Sequence, residues 1–391
     1  MSLLVAVISF QSKGYANLGR QRRLTRTLFL LSLSRLRCWN VQRIQVLVNA
    51  AAIYAVMGIA AALVGSLWPT TAHADRVYVI DPSKPNRPAK AHSGLISDYT
   101  GDKLLLTTQS GRTRTFRSQR VQRIEAKWLA DHELANQAFD RGLIKDALAK
   151  YRSAVTKEKR RWVQRMILAQ SARCNRLMGD LEKALTTFLI VFDDDRQTQY
   201  LGALPITWQP GEPKAQVRRK CEQWLRDSNS RELQKLVAAS WLLSGAQRPA
   251  ATRALQTLTG SIDPRIAHLA NCQLWRTKLV QADEAQLKNW QTQLKKIPRD
   301  LRFGAHFLIG QSLSRQGKHK AAALVFMRVP IHYKRNRAIA AAATLAAAKG
   351  MRRAKMKGWK TLMRDVVTRY PESPQAQQVR SEVQNEDAKK Q

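Results

Sequence analysis

The sequence predicts a mostly α protein, a helical solenoid preceded by a small β-barrel-like module and, before that, an N-terminal signal or transmembrane segment. Three observations carry this expectation. Ala135, Gly142, Ala147, Tyr151 and Ala154 are matched, 37 residues later each time, by Ala172, Gly179, Ala184, Phe188 and Val191. Between Arg76 and Ile124 the apolar residues alternate, whereas beyond Ala126 they recur at helical spacing, and these periods belong to strands and helices respectively. From Ile44 to Trp68 the chain is almost wholly apolar.

Residues 1–43, rich in Arg and Ser, hold two short apolar runs and predict no particular fold. Arg43, the apolar run 44–68 and Ala72-His73-Ala74 then follow in the order of n-region, h-region and small-x-small cleavage site. This order predicts a secretory leader over 1–74, cut after Ala74. The same run is long enough to be retained as a membrane anchor, since a span takes about 20 residues. An acid-free, Arg-rich start is also compatible with a mitochondrial transit peptide. The expected location is therefore the periplasm or cell envelope, with membrane anchoring if 44–68 is not removed.

Lys and Arg number 67 against 28 acidic residues, a formal net charge of +39. The first 74 residues hold eight basic and no acidic side chains, so residues 75–391 keep 59 against 28, or +31. The excess belongs to the folded part and predicts an anionic partner. An acidic protein or peptide comes first, then an anionic envelope polymer or membrane surface, with nucleic acid as the alternative. An apolar content of 44% argues for a packed core and against disorder. Cys38, Cys174, Cys221 and Cys272 form no C-x-x-C pair and no metal-ligand spacing, so they read as small packed thiols.

Over 75–125, Val77, Val79, Leu95, Ile96, Tyr99, Leu104, Leu106, Thr113, Thr115, Val121 and Ile124 fall in short β-prone runs. Thr100-Gly101 and Ser110-Gly111 predict hairpin turns, and Asp81–Ala89, with three prolines, a loop. Four or five strands of this size hide their edges best in a closed or half-closed barrel. The module weakly resembles SH3-like and Sm-like barrels in strand number and turn spacing. The Sm-like option would imply RNA, which export argues against. The change of period near Ala126 predicts that this module and the helical region fold separately.

Over 127–382 the chain reads as helical pairs. Small residues sit where paired helices touch, Gly opens the turn and an aromatic fills the gap beyond. This pattern, sharp again in Gly310, Gly317, Ala322, Phe326 and Val329, resembles the tetratricopeptide repeat. Gly245 and Gly350 extend the glycine series through degenerate pairs, and Tyr370-Pro371-Glu372-Ser373 resembles the break between repeats in bacterial envelope proteins of this kind. The resemblance implies a concave groove lined by the first helix of each pair. Carried onto this chain, its contact positions are His132, Asn136 and Asp140, then Ala169, Arg173 and Arg176, then Gln311 and Arg315. Arg173 and Arg176, at i and i+3, suit a carboxylate or phosphate. The set lacks the full Lys–Asn pattern of chaperone-binding members, which argues against a co-chaperone role.

Asp193–Pro213 interrupts the repeats and is too long for an ordinary connection. Packing of Ile206 and Trp208 onto the solenoid is expected, with a partner-contact loop as the alternative, and Asp193-Asp194-Asp195 reads as a solvated turn. Trp128, Trp162, Trp224, Trp241, Trp275 and Trp359 stand at helical intervals from apolar residues and predict packing. The basic runs around Lys159, Arg218, Lys334 and Arg352 add to the case for an anionic partner. The tail 383–391 is charged and expected to fray. No phosphate-binding loop, zinc-protease or nucleophile-elbow motif is present, so a non-enzymatic scaffold or adaptor without cofactor or metal is expected.

Overall fold

The computed structural model describes residues 74–83 and 87–388; the segment predicted to be a leader, with its apolar run, lies outside them but for Ala74. Five antiparallel strands come first: β1 (Asp75–Val79), β2 (Lys90–Tyr99), β3 (Lys103–Thr107), β4 (Thr113–Arg117) and β5 (Val121–Glu125). Alternation sends Val77, Ile96, Leu104 and Leu106 into the core. Both predicted hairpin turns are present, joining β2 to β3 and β3 to β4. The sheet order is β4-β3-β2-β1-β5, so β4 and β5 are its edges although only a 3₁₀ turn, Ser118–Arg120, separates them in sequence. The sheet is thus not hydrogen-bonded into a closed barrel. A register irregularity between Ile96 and Asp98 interrupts β2, where a bulge bends and twists the strand.

Fourteen helices follow among the described residues. They are α1 (Ala130–Asp140), α2 (Ile144–Lys157), α3 (Arg161–Leu177), α4 (Leu181–Asp194), α5 (Ala215–Arg226), α6 (Glu232–Leu242) and α7 (Arg248–Leu258). The series continues with α8 (Pro264–Lys278), α9 (Glu284–Lys296), α10 (Phe303–Arg315), α11 (His319–His332), α12 (Arg337–Arg353), α13 (Trp359–Arg369) and α14 (Pro374–Ala388). Most consecutive helices pack on each other in a solenoid-like succession. Gly142, Gly179 and Gly317 end α1, α3 and α10 at φ of 81°, 84° and 74°, the left-handed conformation that favours glycine. Gly310 meets its partner helix differently: a Cβ there would lie 2.7 Å from the Phe326 ring. Gly350 is not at a turn; it lies inside α12, and Gly358, at φ 87°, precedes α13 instead. Helix α14 runs through Ala388, past the expected start of the tail.

The sheet and the first helices share one core. Val77, Ile96, Tyr99, Leu104 and Leu106 cluster with Phe139, Tyr151, Trp162 and Ile167. Arg165, with a side chain only 4% exposed, pairs with Asp98 of β2 and with Asp194 at 2.7 Å, and donates to the Tyr99 carbonyl at 3.1 Å. The three aspartates are likewise not a solvated turn. Asp193 pairs with Arg231 at 2.8 Å, Asp194 with Arg161 and Arg165, and Asp195 accepts the Gly101 N–H at 2.8 Å. Gly101 approaches so closely that a Cβ would fall 1.5 Å from the Gln197 carbonyl oxygen.

The middle of the 193–213 insertion is packed inside the helical array. Leu201, Leu204, Ile206 and Trp208 are buried in the largest apolar cluster, and Trp208 meets Phe303 edge to face at 6.0 Å. Some of its backbone polar groups bond within the segment, and several of its carbonyls accept from side chains of surrounding helices, as burial demands. Trp241 Nε1 donates to the Pro205 carbonyl at 2.8 Å, Gln273 Nε2 to that of Thr207 at 3.0 Å, and Arg276 to that of Gln209 at 2.9 Å. The array also meets itself. Arg337 of α12, 5% exposed, binds Glu372 at 2.6 Å and donates to the Asp140 carbonyl at the end of α1 at 3.0 Å. Its guanidinium lies against the rings of Phe139 and Tyr370, tying the first helical pair to the last.

Candidate functional site

A concavity of about 1160 Å³ opens where the end of α9, the 3₁₀ turn Arg299–Leu301, α10, the end of α11 and the turn before α12 converge on α3. Helix ends meet here, so cationic side chains placed near their C-terminal carbonyls, where positive charge is favourable, end up facing one space. Lys295 lies at the end of α9, Arg299 opens the 3₁₀ turn and Arg302 follows it, Arg328 stands on α11, Lys334 and Arg335 come after that helix, and Arg173 reaches in from α3. Against these seven cations the lining offers one carboxylate, Asp300, whose pKa is raised by burial and lowered less by Arg265 and Arg302.

Some of these cations are fixed. Arg302 donates to the carbonyls of Ile297 at 2.7 Å and Lys295 at 2.8 Å, groups that a helix end leaves without intrahelical partners. Arg173 donates to Gln170 Oε1 at 2.8 Å and to Asn336 Oδ1 at 3.4 Å. Burial, with Arg335 nearby, pushes its pKa down to about 10, which leaves it charged at neutral pH. His306, 7% exposed, is pushed down to about 4 by burial and then by Arg328, Arg302 and His332. It is therefore a neutral imidazole in a cationic wall. Tyr333 completes the lining against Phe303 and His306, at ring distances of 5.9 and 6.2 Å.

Of the contact positions carried over from the repeat resemblance, only Arg173 reaches this cavity. Arg176, one turn further along α3, is half-buried outside the lining, its pKa pushed down to about 10 by burial. His132 is 1% exposed, packed edge to face against Trp128 and Tyr151, so it is a core residue and not a groove contact. Asn136 accepts the Tyr151 hydroxyl at 2.7 Å, and Ala169 is buried in the main core. Gln311 is half-buried with its Oε1 unsatisfied, and Arg315 is exposed at the end of α10, both outside the lining. The apolar segment of the insertion packs against α8, α10 and α12, through contacts with Gln273, Phe303 and Ala338. Lys334 and Arg335 carried a signal as part of a basic run; Arg299 and Arg302, at a short turn, and Arg328, within a helix, were not singled out.

The three buried cysteines, Cys174, Cys221 and Cys272, are free, with burial raising each thiol pKa. Among the described residues no helix is long and apolar enough to cross a membrane. No family model, curated protein or solved structure matches the chain.

Proposed function

We propose that this protein is an exported, non-enzymatic scaffold or adaptor that holds an acidic segment of a peptide or protein in the electropositive cavity between α9, α10 and α11. The observation that supports this reading is the charge imbalance of the lining, seven cations facing Asp300. Among the described residues Lys295, Arg299, Arg328, Lys334 and Arg335 make no ion pair with the protein's own acids. Like charges gathered without counter-charges repel one another, so an anionic ligand removes a strain as well as forming new contacts. Five of the seven are arginines, whose planar donors match carboxylates in pairs. The resemblance to tetratricopeptide repeats and the leader-like start support the scaffold class and the envelope location.

A fluorescent peptide of alternating Glu and Gly residues tests the reading by anisotropy. Each charge-assisted hydrogen bond contributes roughly 1.5–3 kcal/mol, so the double change Arg328→Glu with Arg335→Glu is expected to weaken the peptide tenfold or more. The same reversal at Arg218 and Arg219, exposed on α5, is expected to change affinity less than threefold. Equal losses at both places would replace the cavity with a diffuse polyanion surface. A preference for single-stranded nucleic acid over the peptide would favour the nucleic-acid alternative.

A further inference from the structure

A second surface lies at the far end of the array, where α14 packs on α13 and α12. Its apolar stripe is Ala376, Val379 and Val383. The first two are buried in a small cluster with Met363 and Val366, whereas Val383 remains 51% exposed. With Trp359, Met363 and Val367 of α13 it lines a groove of about 700 Å³. The rim is cationic: Arg352, Lys360, Arg364 and Arg380. Among the described side chains of the lining the one acid, Glu382, is paired with Lys349 at 2.8 Å. The groove follows α13 from Trp359 to Thr368, a length of about 15 Å at 1.5 Å per residue, or roughly three turns of a docked helix.

We propose that this groove takes an amphipathic helix of a partner protein whose apolar stripe is flanked by acidic side chains. An apolar floor matched to three helical turns is what an i, i+3/i+4, i+7 stripe fills. The charge of the rim selects the occupant. A second copy of this chain would bring the same cations to the contact. The N-terminal 74 residues hold eight basic and no acidic side chains, so they too are repelled. A helix with Glu or Asp beside its stripe buries Val383 and neutralises Arg364 and Arg380 together. The groove shares no lining residue with the cavity, so this inference does not depend on the proposed function.

The test uses the whole protein and a labelled 15-residue synthetic helix with a Leu stripe flanked by Glu, followed by anisotropy. The same peptide with Lys in place of Glu is expected to bind at least tenfold more weakly. Val383→Asp, and separately Arg364→Glu with Arg380→Glu, are each expected to weaken the Glu peptide tenfold or more. Arg328→Glu with Arg335→Glu is expected to leave its affinity within threefold. Equal binding of the two peptides, or unchanged affinity in Val383→Asp, would overturn the proposal, as would absence of binding by the Glu peptide.

Discussion

His132 and His306 carry a pH dependence that follows from where their rings are held. Both are buried, and burial leads the causes that push each pKa from 6.5 down to about 4; the Nδ1 of His132 has no hydrogen-bond partner. The unfolded chain therefore takes up protons near pH 6.5 that the folded chain refuses until about pH 4. Their stabilising contribution is complete above pH 6.5 and is lost as pH falls towards 4, roughly 3 kcal/mol for each ring. Carboxylates held down by ion pairs, such as Asp194 and Asp263, lose their contribution only below their ordinary values near 4. Asp75 and Asp300, raised by burial, act in the opposite sense, because protonating them favours the folded state. The difference between wild type and His132→Phe isolates one ring. Urea unfolding at pH 7 and pH 4.5 is expected to show a smaller loss of stability in the variant by about 2–3 kcal/mol, and equal losses would contradict the assignment.

At the scale of elements, the insertion and the sheet behave as parts of the helical core. Trp208 is buried against Phe303, and a Cβ at Gly304 would lie 2.1 Å from its ring. Glycine at 304 is therefore what allows this indole to lie on α10. Trp208→Ala is expected to cost about 3–5 kcal/mol, the range for large aromatic truncations in cores, with a matching fall in the denaturant midpoint. A change below about 1 kcal/mol would mean that the segment is a surface loop. The helical pairs and five strands were legible in the sequence because they depend on local spacing: left-handed glycines after α1, α3 and α10, and alternation in β1 to β5. The packing of 193–213 was legible in outline from Ile206 and Trp208. The shared sheet–helix core was not, because it rests on contacts such as Arg165 with Asp98 and Gly101 with Asp195, 67 and 94 residues apart. The aspartates looked solvated for the same reason: their partners come from the turn between β2 and β3, from α3 and from Arg231, just before α6.

At the scale of the molecule, a surplus of basic residues is distributed unevenly between pairing and display. Arg165 and Arg337 are enclosed and matched to carboxylates, while the lining between α9 and α11 gathers cations that face almost none. Total charge predicted an anionic partner, and that inference needed no structure. The gathering of these cations in one lining did need one, since Arg173, Arg299 and Arg335 are far apart in the sequence. The positions carried over from the repeat resemblance do not gather in one place: His132 is packed against Trp128 and Tyr151, whereas Arg173 lines the cavity. Electrostatic attraction across an exposed cavity weakens with salt, so affinity for the acidic peptide is expected to fall between low and physiological ionic strength. The most direct check on the central claim is backbone hydrogen exchange with and without the Glu-Gly peptide. Slowed exchange confined to 295–309 and 325–336 is the predicted result, and slowing that leaves these segments untouched would contradict it.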